Sequence, residues 1–194
     1  MNDTKDLSSI IRNRRSIKPG DLNGEKIDNE IIKQLLQLAD WAPTHARTEP
    51  WRFIVYEGEA MHQFSRDHAE LYRQHTSAEK FTEAKCEKMK EQCAVVSHLI
   101  IVYMKRTINN SIPVVEEIAA VAAAIQNMLL AISDRGLAAL WSTGGMTHHA
   151  SMKQYLGLHD EDIVMGLIYV GKTSKEPPVG KRSIAIEDKI VWKS

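Results

Sequence analysis

The sequence feature that most constrains the fold is a long apolar stretch at residues 113–136. Pro113 precedes it, two glutamates lie in its first turn, and Arg135 is followed by Gly136 at its end. Acidic residues favour the N-terminus of a helix, whereas a cation followed by a glycine is typical of its C-terminus. The pattern therefore predicts one long helix between these limits.

This predicted helix is apolar on nearly every side. From Ile118 to Ile132 almost all residues are apolar, with Gln126 and Asn127 as the exceptions. A helix that is apolar all round belongs in a protein interior, and a run of about 15 residues is shorter than the roughly 20 that cross a membrane. We therefore predict a core helix around which the chain folds, and no membrane partner.

Length and charge set further limits on the class of protein. A chain of 194 residues is long enough to bury a core, and no linker or repeat divides it, so we expect a single domain over residues 1–194. The 25 basic and 25 acidic residues cancel, which leaves no overall field to attract nucleic acid or an anionic membrane. The N-terminal residues are polar and lack an apolar signal core, so we expect a cytoplasmic protein.

Cysteines and histidines give no sign of a metal site. Cys86 and Cys93 are separated by about 10 Å along one predicted helical face, too far for a disulfide or a shared metal. The spacing of His62, His68 and His75 does not suit zinc, and we interpret them as surface histidines on a polar helix. The chain has no G-x-S-x-G sequence and no local signature around either cysteine, which disfavours a hydrolase.

The order of the apolar patterns predicts an α+β fold. We expect a mixed central sheet of four to five strands flanked by helices, because the strict alternation of a doubly wound fold and a G-x-G-x-x-G sequence are both missing. In the first short helix we expect Leu7, Ile10 and Ile11 to face the core, and a later helix should open on Thr147 as its N-cap. The C-terminal tail, about residues 183–194, has alternating apolar residues but no helix to pack on, so we expect it to extend onto another chain. The predicted strands cover residues 51–56, 95–104, 137–141 and 163–170.

Four polar segments lie at the ends of predicted elements. They are Arg14-Arg15-Ser16, the loop of residues 43–50, the turn Ser142-Thr143-Gly144-Gly145, and Lys181-Arg182. Guanidinium groups suit a phosphate, hydroxyl groups suit a sugar chain, and the backbone N–H groups of a glycine turn suit the heteroatoms of a planar ring. The combination indicates a bound flavin, which carries the chemistry itself and needs no side-chain nucleophile.

These segments resemble the FMN-dependent nitroreductase family, and in particular its short, single-domain branch. The resemblance rests on R-R-S near the N-terminus, the loop WAPTHARTEPWRFIV, the helix that opens with EE, the turn LWSTGG, and GLIYVGK followed by KR. It implies a domain-intertwined homodimer with two FMN sites at the subunit interface. It further implies that NADH or NADPH donates hydride and that a small-molecule electron acceptor, such as a nitroaromatic or a quinone, is reduced by a ping-pong mechanism.

The resemblance also assigns cofactor-binding residues by position. Trp41 and His45 are expected to reach the flavin from the partner subunit. Trp41 and Ser142 stand where relatives often carry a basic residue, and both replacements remove positive charge. Lys181 and Arg182 are expected to help neutralise the phosphate. The residues expected from the first subunit are Arg14, Arg15, Ser16, Trp141, Ser142, Thr143, Gly144 and Gly145.

Two other functions remain open at this point. The same flavin site could serve a flavin-dependent dehydrogenase or a flavin-consuming enzyme, and a flavin-binding dimeric storage or interaction protein would need no turnover. Each segment also has a plain structural explanation, since Trp41 and Trp141 could be core aromatics and the glycine turn only a tight turn. The agreement of all segments with one family favours the reductase.

Overall fold

The structure is a computed structural model that describes residues 6–107 and 111–193 of the chain. Its sheet has four strands, packed between a long helix on one side and shorter helices on the other. The strands are β1 (Trp51–Glu57), β2 (His98–Met104), β3 (Ala138–Ser142) and β4 (Ile163–Gly171). The helices are α1 (Leu7–Asn13), α2 (Asn29–Ala39), α3 (Gly58–His75), α4 (Glu83–Lys90), α5 (Val114–Asp134) and α6 (Ala150–Tyr155).

The sheet confirms the predicted α+β class but not the mixed pairing. Its strand order is β1-β2-β4-β3, and all three strand pairs are antiparallel. The one parallel pairing in the described chain is an isolated bridge between Ser16 and Ala139, which places the segment after α1 beside the edge strand β3. This segment is too short at that point to form a strand, so the sheet is antiparallel with one parallel bridge.

Helix α5 forms the expected core, but only with one of its faces. Ala124, Ile125 and Met128 are fully buried against the sheet and α2. On another face Val115 is 68% exposed and Ala119 is also exposed, so the prediction of a helix buried all round is wrong for a single chain. Of the described helices, α5 alone has the length and composition of a membrane span, yet it packs as a core helix of this domain.

The first helix also differs from its prediction. Leu7 and Ile11 are 62% and 51% exposed, and α1 has no buried residue, whereas both side chains were expected to face the core. The helix contacts α5, and its C-terminal residue Asn13 lines a cavity with Leu129 and Ile132 of that helix. The C-terminal tail adds Val191 and Trp192, which are 83% and 89% exposed. These surfaces have no covering element within the described chain.

A buried ion pair fixes the first turn of α5 to the end of β2. The Glu117 carboxylate is 1% exposed and accepts hydrogen bonds from Arg106 and from the Thr107 hydroxyl. The guanidinium of Arg106 also donates to Ile112 O at 2.8 Å, while its backbone N–H donates to Asp162 at 3.0 Å. Burial acts to raise the pKa of Glu117, but the hydrogen bonds from Thr107 and Arg106 outweigh it and hold that pKa below its usual value.

Candidate flavin site

Edge strand β3 connects two of the predicted site segments. Backbone pairing with Ala139, in which Ile17 N–H donates to Ala139 O at 3.0 Å, places Arg14, Arg15 and Ser16 beside the start of β3. The strand then runs three residues further to Ser142, which is about 10 Å at the usual rise of a strand. The cationic segment and the glycine turn therefore lie along one strand, about 10 Å apart.

The two arginines of the cationic segment have different surroundings. Both line a cavity of about 270 Å³ whose apolar wall includes Ile132 and Ala139. The Arg15 guanidinium is already used inside the chain, because it donates to Arg12 O at 2.7 Å, to Arg14 O at 2.8 Å and to Pro178 O at 3.0 Å. The half-buried Arg14 side chain has no hydrogen-bond partner among the described residues, so its guanidinium is the one available to an anion in this cavity.

Arg15 also brings the last predicted segment close to this cavity. It holds the carbonyl of Pro178, and a Cβ on Gly180 would lie only 1.9 Å from the Arg15 guanidinium, so Gly180 packs directly against that group. Lys181 and Arg182 follow immediately and are exposed. The structure thus brings the two basic segments together, although it shows no contact that assigns either Lys181 or Arg182 to a ligand.

The turn after β3 is held by its own polar groups. Gly144 N–H donates to Ser142 Oγ at 3.3 Å, and Thr147 Oγ1 donates to Gly144 O at 2.6 Å. Neither Thr143 N–H nor Gly145 N–H has an acceptor among the described residues. Helix α6 does not open on Thr147 as predicted, because that hydroxyl is occupied; its N-cap is His149, which accepts from Ser151 N–H at 3.2 Å.

Trp141, near the end of β3, is half-buried against the neighbouring strand. Its indole N–H donates to Met165 O at 2.9 Å, and a Cβ on Gly166 would lie only 2.1 Å from Trp141 Nε1. The indole is therefore packed against β4 while the side chain remains half-buried, and the role of Trp141 at the flavin stays a prediction.

His68 is a buried residue of this region that the sequence analysis placed on the surface. The ring is 6% exposed, and Nε2 accepts a hydrogen bond from Met146 N–H at 2.9 Å. Because Nε2 acts as an acceptor, the neutral ring carries its proton on Nδ1. The sequence contained the signal: Phe64, His68 and Tyr72 recur every four residues, which places all three on the buried face of α3.

Burial lowers the pKa of His68 from 6.5 to about 4, which predicts an acid-sensitive fold. Between these pH values the unfolded chain binds a proton that the folded chain excludes, so stability is full above pH 6.5 and falls towards pH 4. We expect a loss of up to about 3 kcal/mol in the free energy of unfolding from this group. Urea unfolding at pH 7 and pH 4.5 measures it, and a His68→Gln variant should show a smaller difference. Equal pH dependence in both proteins would contradict the assignment.

Two further cavities extend the candidate site beyond the predicted residues. One, of about 560 Å³, lies between Lys18 and Lys88 and borders Leu140 of β3. The other, of about 300 Å³, is bordered by Lys88, Gln92 and the glycine turn. Lys18 and Lys88 were not predicted. Lys18 follows Ser16 by two residues, which is a usable sequence signal, whereas nothing in the sequence indicates that α4 folds over the turn.

Trp41 and His45 do not reach this region in one chain. His45 Nδ1 contacts the Glu116 carboxylate at the N-terminal end of α5, and Trp41 is 85% exposed. The cavity that contains Arg14 is lined by Ser133 at the C-terminal end of the same helix. Seventeen residues of helix separate Glu116 from Ser133, which is about 25 Å. One subunit therefore holds His45 and the Arg14 cavity at opposite ends of α5, whereas the exposed Trp41 lines a separate cavity with Arg135, the C-cap residue of that helix.

Fold and site together define a class of protein: an α+β domain with an antiparallel sheet and a cationic, amide-bearing cleft along one edge strand. The model of the nitroreductase family matches residues 11–172. The chain belongs to the nitroreductase family, which places it among oxidoreductases.

Relatives agree with this assignment. The chain is 28% identical over 177 residues to a Bacillus subtilis (strain 168) protein named "Putative NAD(P)H nitroreductase YfhC", covering 91% of this chain and 89% of the relative. A nitroreductase-like family protein from Bacillus cereus has a crystal structure with a TM-score of 0.81 and 26% identity, covering 100% of this chain and 98% of that one. A variant of the FMN- and NADPH-dependent nitroreductase NfnB, from Sphigopyxis sp. strain HMH, shares the fold with a TM-score of 0.75 at 16% identity, covering 97% and 99%.

Proposed function

We propose that this protein is an FMN-dependent oxidoreductase that takes hydride from NADH or NADPH and passes it to a small-molecule acceptor such as a nitroaromatic or a quinone. The family supports the reaction class. The residues present suit the cofactor, because the available Arg14 guanidinium and the unpaired N–H groups of the glycine turn lie along the same strand. We also propose that it works in the cytoplasm.

The observation that carries this proposal is the separation of His45 from the Arg14 cavity along α5. A second copy, related by a two-fold axis and packed through an antiparallel pair of α5 helices, would bring the partner's N-terminal end of α5 to the first subunit's C-terminal end. The exposed face of α5, which includes Val115 and Ala119, supports such a pair. We infer a homodimer whose flavin sites are completed by Trp41 and His45 of the partner subunit. The tail of residues 183–194 extends onto that subunit and covers part of the interface.

In this site FMN supplies the hydride-transfer chemistry at its ring nitrogen N5. Arg14 binds the phosphate, with Lys181 and Arg182 adding positive charge nearby, and Ser16 holds the sugar chain. The N–H groups of Thr143 and Gly145 would be the donors available to the ring, and Lys18 and Lys88 would add positive charge from the adjoining cavities. Arg15 positions the loop that carries the basic tail residues.

Reductive titration under anaerobic conditions tests the reaction. The purified protein should be yellow, and NADH or NADPH should bleach it; an added quinone or nitroaromatic should restore the colour. A yellow protein that neither nucleotide bleaches would favour storage or interaction over turnover. A colourless protein that takes up no FMN would contradict the proposal.

An Ala119→Arg variant should disrupt the dimer. Arginine is a good helix former, and Ala119 is exposed in a single chain, so the substitution should not disturb the fold of the subunit. In the proposed dimer interface, however, the arginine would be a buried charge without a partner. We expect mainly monomer in sedimentation velocity, with weakened FMN binding. Ala84→Arg on the exposed surface of α4 is the matched control and should remain dimeric and yellow. A dimer that tolerates Ala119→Arg would exclude this face of α5 from the interface.

A further inference from the structure

The buried His68 ring is fitted closely against the glycine turn. Besides accepting from Met146 N–H at 2.9 Å, it occupies the space beside Gly145, where an added Cβ would lie 2.6 Å from Nε2. Gly145 has a φ of 65°, a conformation that glycine adopts at little cost. The turn can therefore keep its shape beside the His68 ring only with a glycine at this position.

Two buried side chains hold two consecutive peptide groups of the turn. His68 holds the peptide that ends in Met146 N–H, and Thr147 Oγ1 holds the preceding one through Gly144 O. A trans peptide is planar, so the Gly144 carbonyl and the Gly145 N–H lie in one plane and point in opposite directions. Fixing that carbonyl inward directs the Gly145 N–H away from Thr147, and this N–H has no acceptor among the described residues.

We propose that His68 is a positioning residue of the flavin site: through Met146 it fixes the glycine turn so that Gly145 N–H is presented to the flavin ring. This inference rests on the function proposed above. His68 itself acts through the backbone, and its contribution is pre-organisation. A donor that is already aligned needs no reorganisation when negative charge develops on the ring.

A pair of variants separates hydrogen bonding from packing. His68→Leu fills a similar space but offers no acceptor to Met146 N–H, whereas the side-chain oxygen of His68→Gln can replace Nε2. We expect His68→Leu to weaken FMN binding about tenfold and to make the flavin midpoint potential more negative. Amide exchange in the apoprotein should become faster at Met146. His68→Gln should restore most of the FMN affinity and of the potential.

His98 provides a matched control. It is also a buried histidine, 2% exposed, but it lies at the start of β2, where Nε2 contacts Asn29 Oδ1 at 2.8 Å. His98→Gln should lower stability without changing FMN affinity or potential. If His68→Leu and His98→Gln have the same FMN affinity and potential, His68 is only a structural residue. If the wild-type protein binds no FMN, the proposed function itself fails and this inference fails with it.

Discussion

An Arg14→Ala variant should fold normally and lose FMN, with an affinity at least about 100-fold weaker than that of the wild type. The Arg14 side chain is half-buried in the cavity beside β3 and has no partner in the described chain. A bidentate guanidinium–phosphate contact provides two charge-assisted hydrogen bonds, each worth about 1.5–3 kcal/mol, and 1.4 kcal/mol corresponds to a factor of ten. Fluorescence titration of the apoprotein with FMN measures the loss.

Two neighbouring arginines provide the comparison. Arg12 is exposed on α1, and only its backbone carbonyl is used by Arg15, so Arg12→Ala should keep FMN affinity. Arg15→Ala should act indirectly, by loosening the loop that contains Pro178 and Gly180. If Arg14→Ala keeps a stoichiometric flavin with unchanged affinity, the phosphate does not bind in this cavity.

A Glu117→Gln variant should be the most destabilising single substitution proposed here, with a loss of about 3–5 kcal/mol in the free energy of unfolding. The carboxylate is buried and balances the Arg106 guanidinium, whose side chain is 8% exposed. Removing the negative charge leaves a buried cation without its counter-ion, and that penalty exceeds the loss of one hydrogen bond. Urea unfolding at pH 7 measures the change.

The matched control is an ion pair on the surface. Glu87 and Lys90 are joined at 2.6 Å on the exposed side of α4, where solvent screens the pair. Glu87→Gln should leave the unfolding midpoint nearly unchanged. Similar stability losses for Glu117→Gln and Glu87→Gln would show that the Arg106 charge is satisfied by other groups, such as Ile112 O.

The sequence predicted the elements well where local signals and burial agree. The long helix α5, for example, begins after Pro113 and ends at Asp134, close to the predicted limits. The predicted strands correspond to β1–β4. The segments of the proposed site also came from local chemistry, because runs of arginine and of glycine with hydroxyl residues are visible without the fold.

What could not be predicted depends on contacts between distant parts of the chain. The burial of His68 could be inferred from its spacing to Phe64 and Tyr72, but its acceptor role could not, because its partner Met146 lies 78 residues further along the sequence. Thr147 could cap a helix, but its hydroxyl bonds to Gly144 O instead. Leu7 and Ile11 are exposed although their spacing is that of an amphipathic helix, because periodicity gives the apolar face of a helix but not the element that covers it.

Complementation between two defective chains tests most directly the claim that each flavin site is shared by two subunits. One chain carries Arg14→Ala, and the other carries both Trp41→Ala and His45→Ala. The two chains are co-expressed with different affinity tags, and the mixed dimer is isolated by purification on both tags. In that dimer one site combines both defects and the other combines two intact halves. We predict that each parent dimer binds FMN weakly and that the mixed dimer binds one FMN per dimer with wild-type affinity. A mixed dimer that binds no better than its parents, or a protein that sediments only as a monomer, would contradict the account.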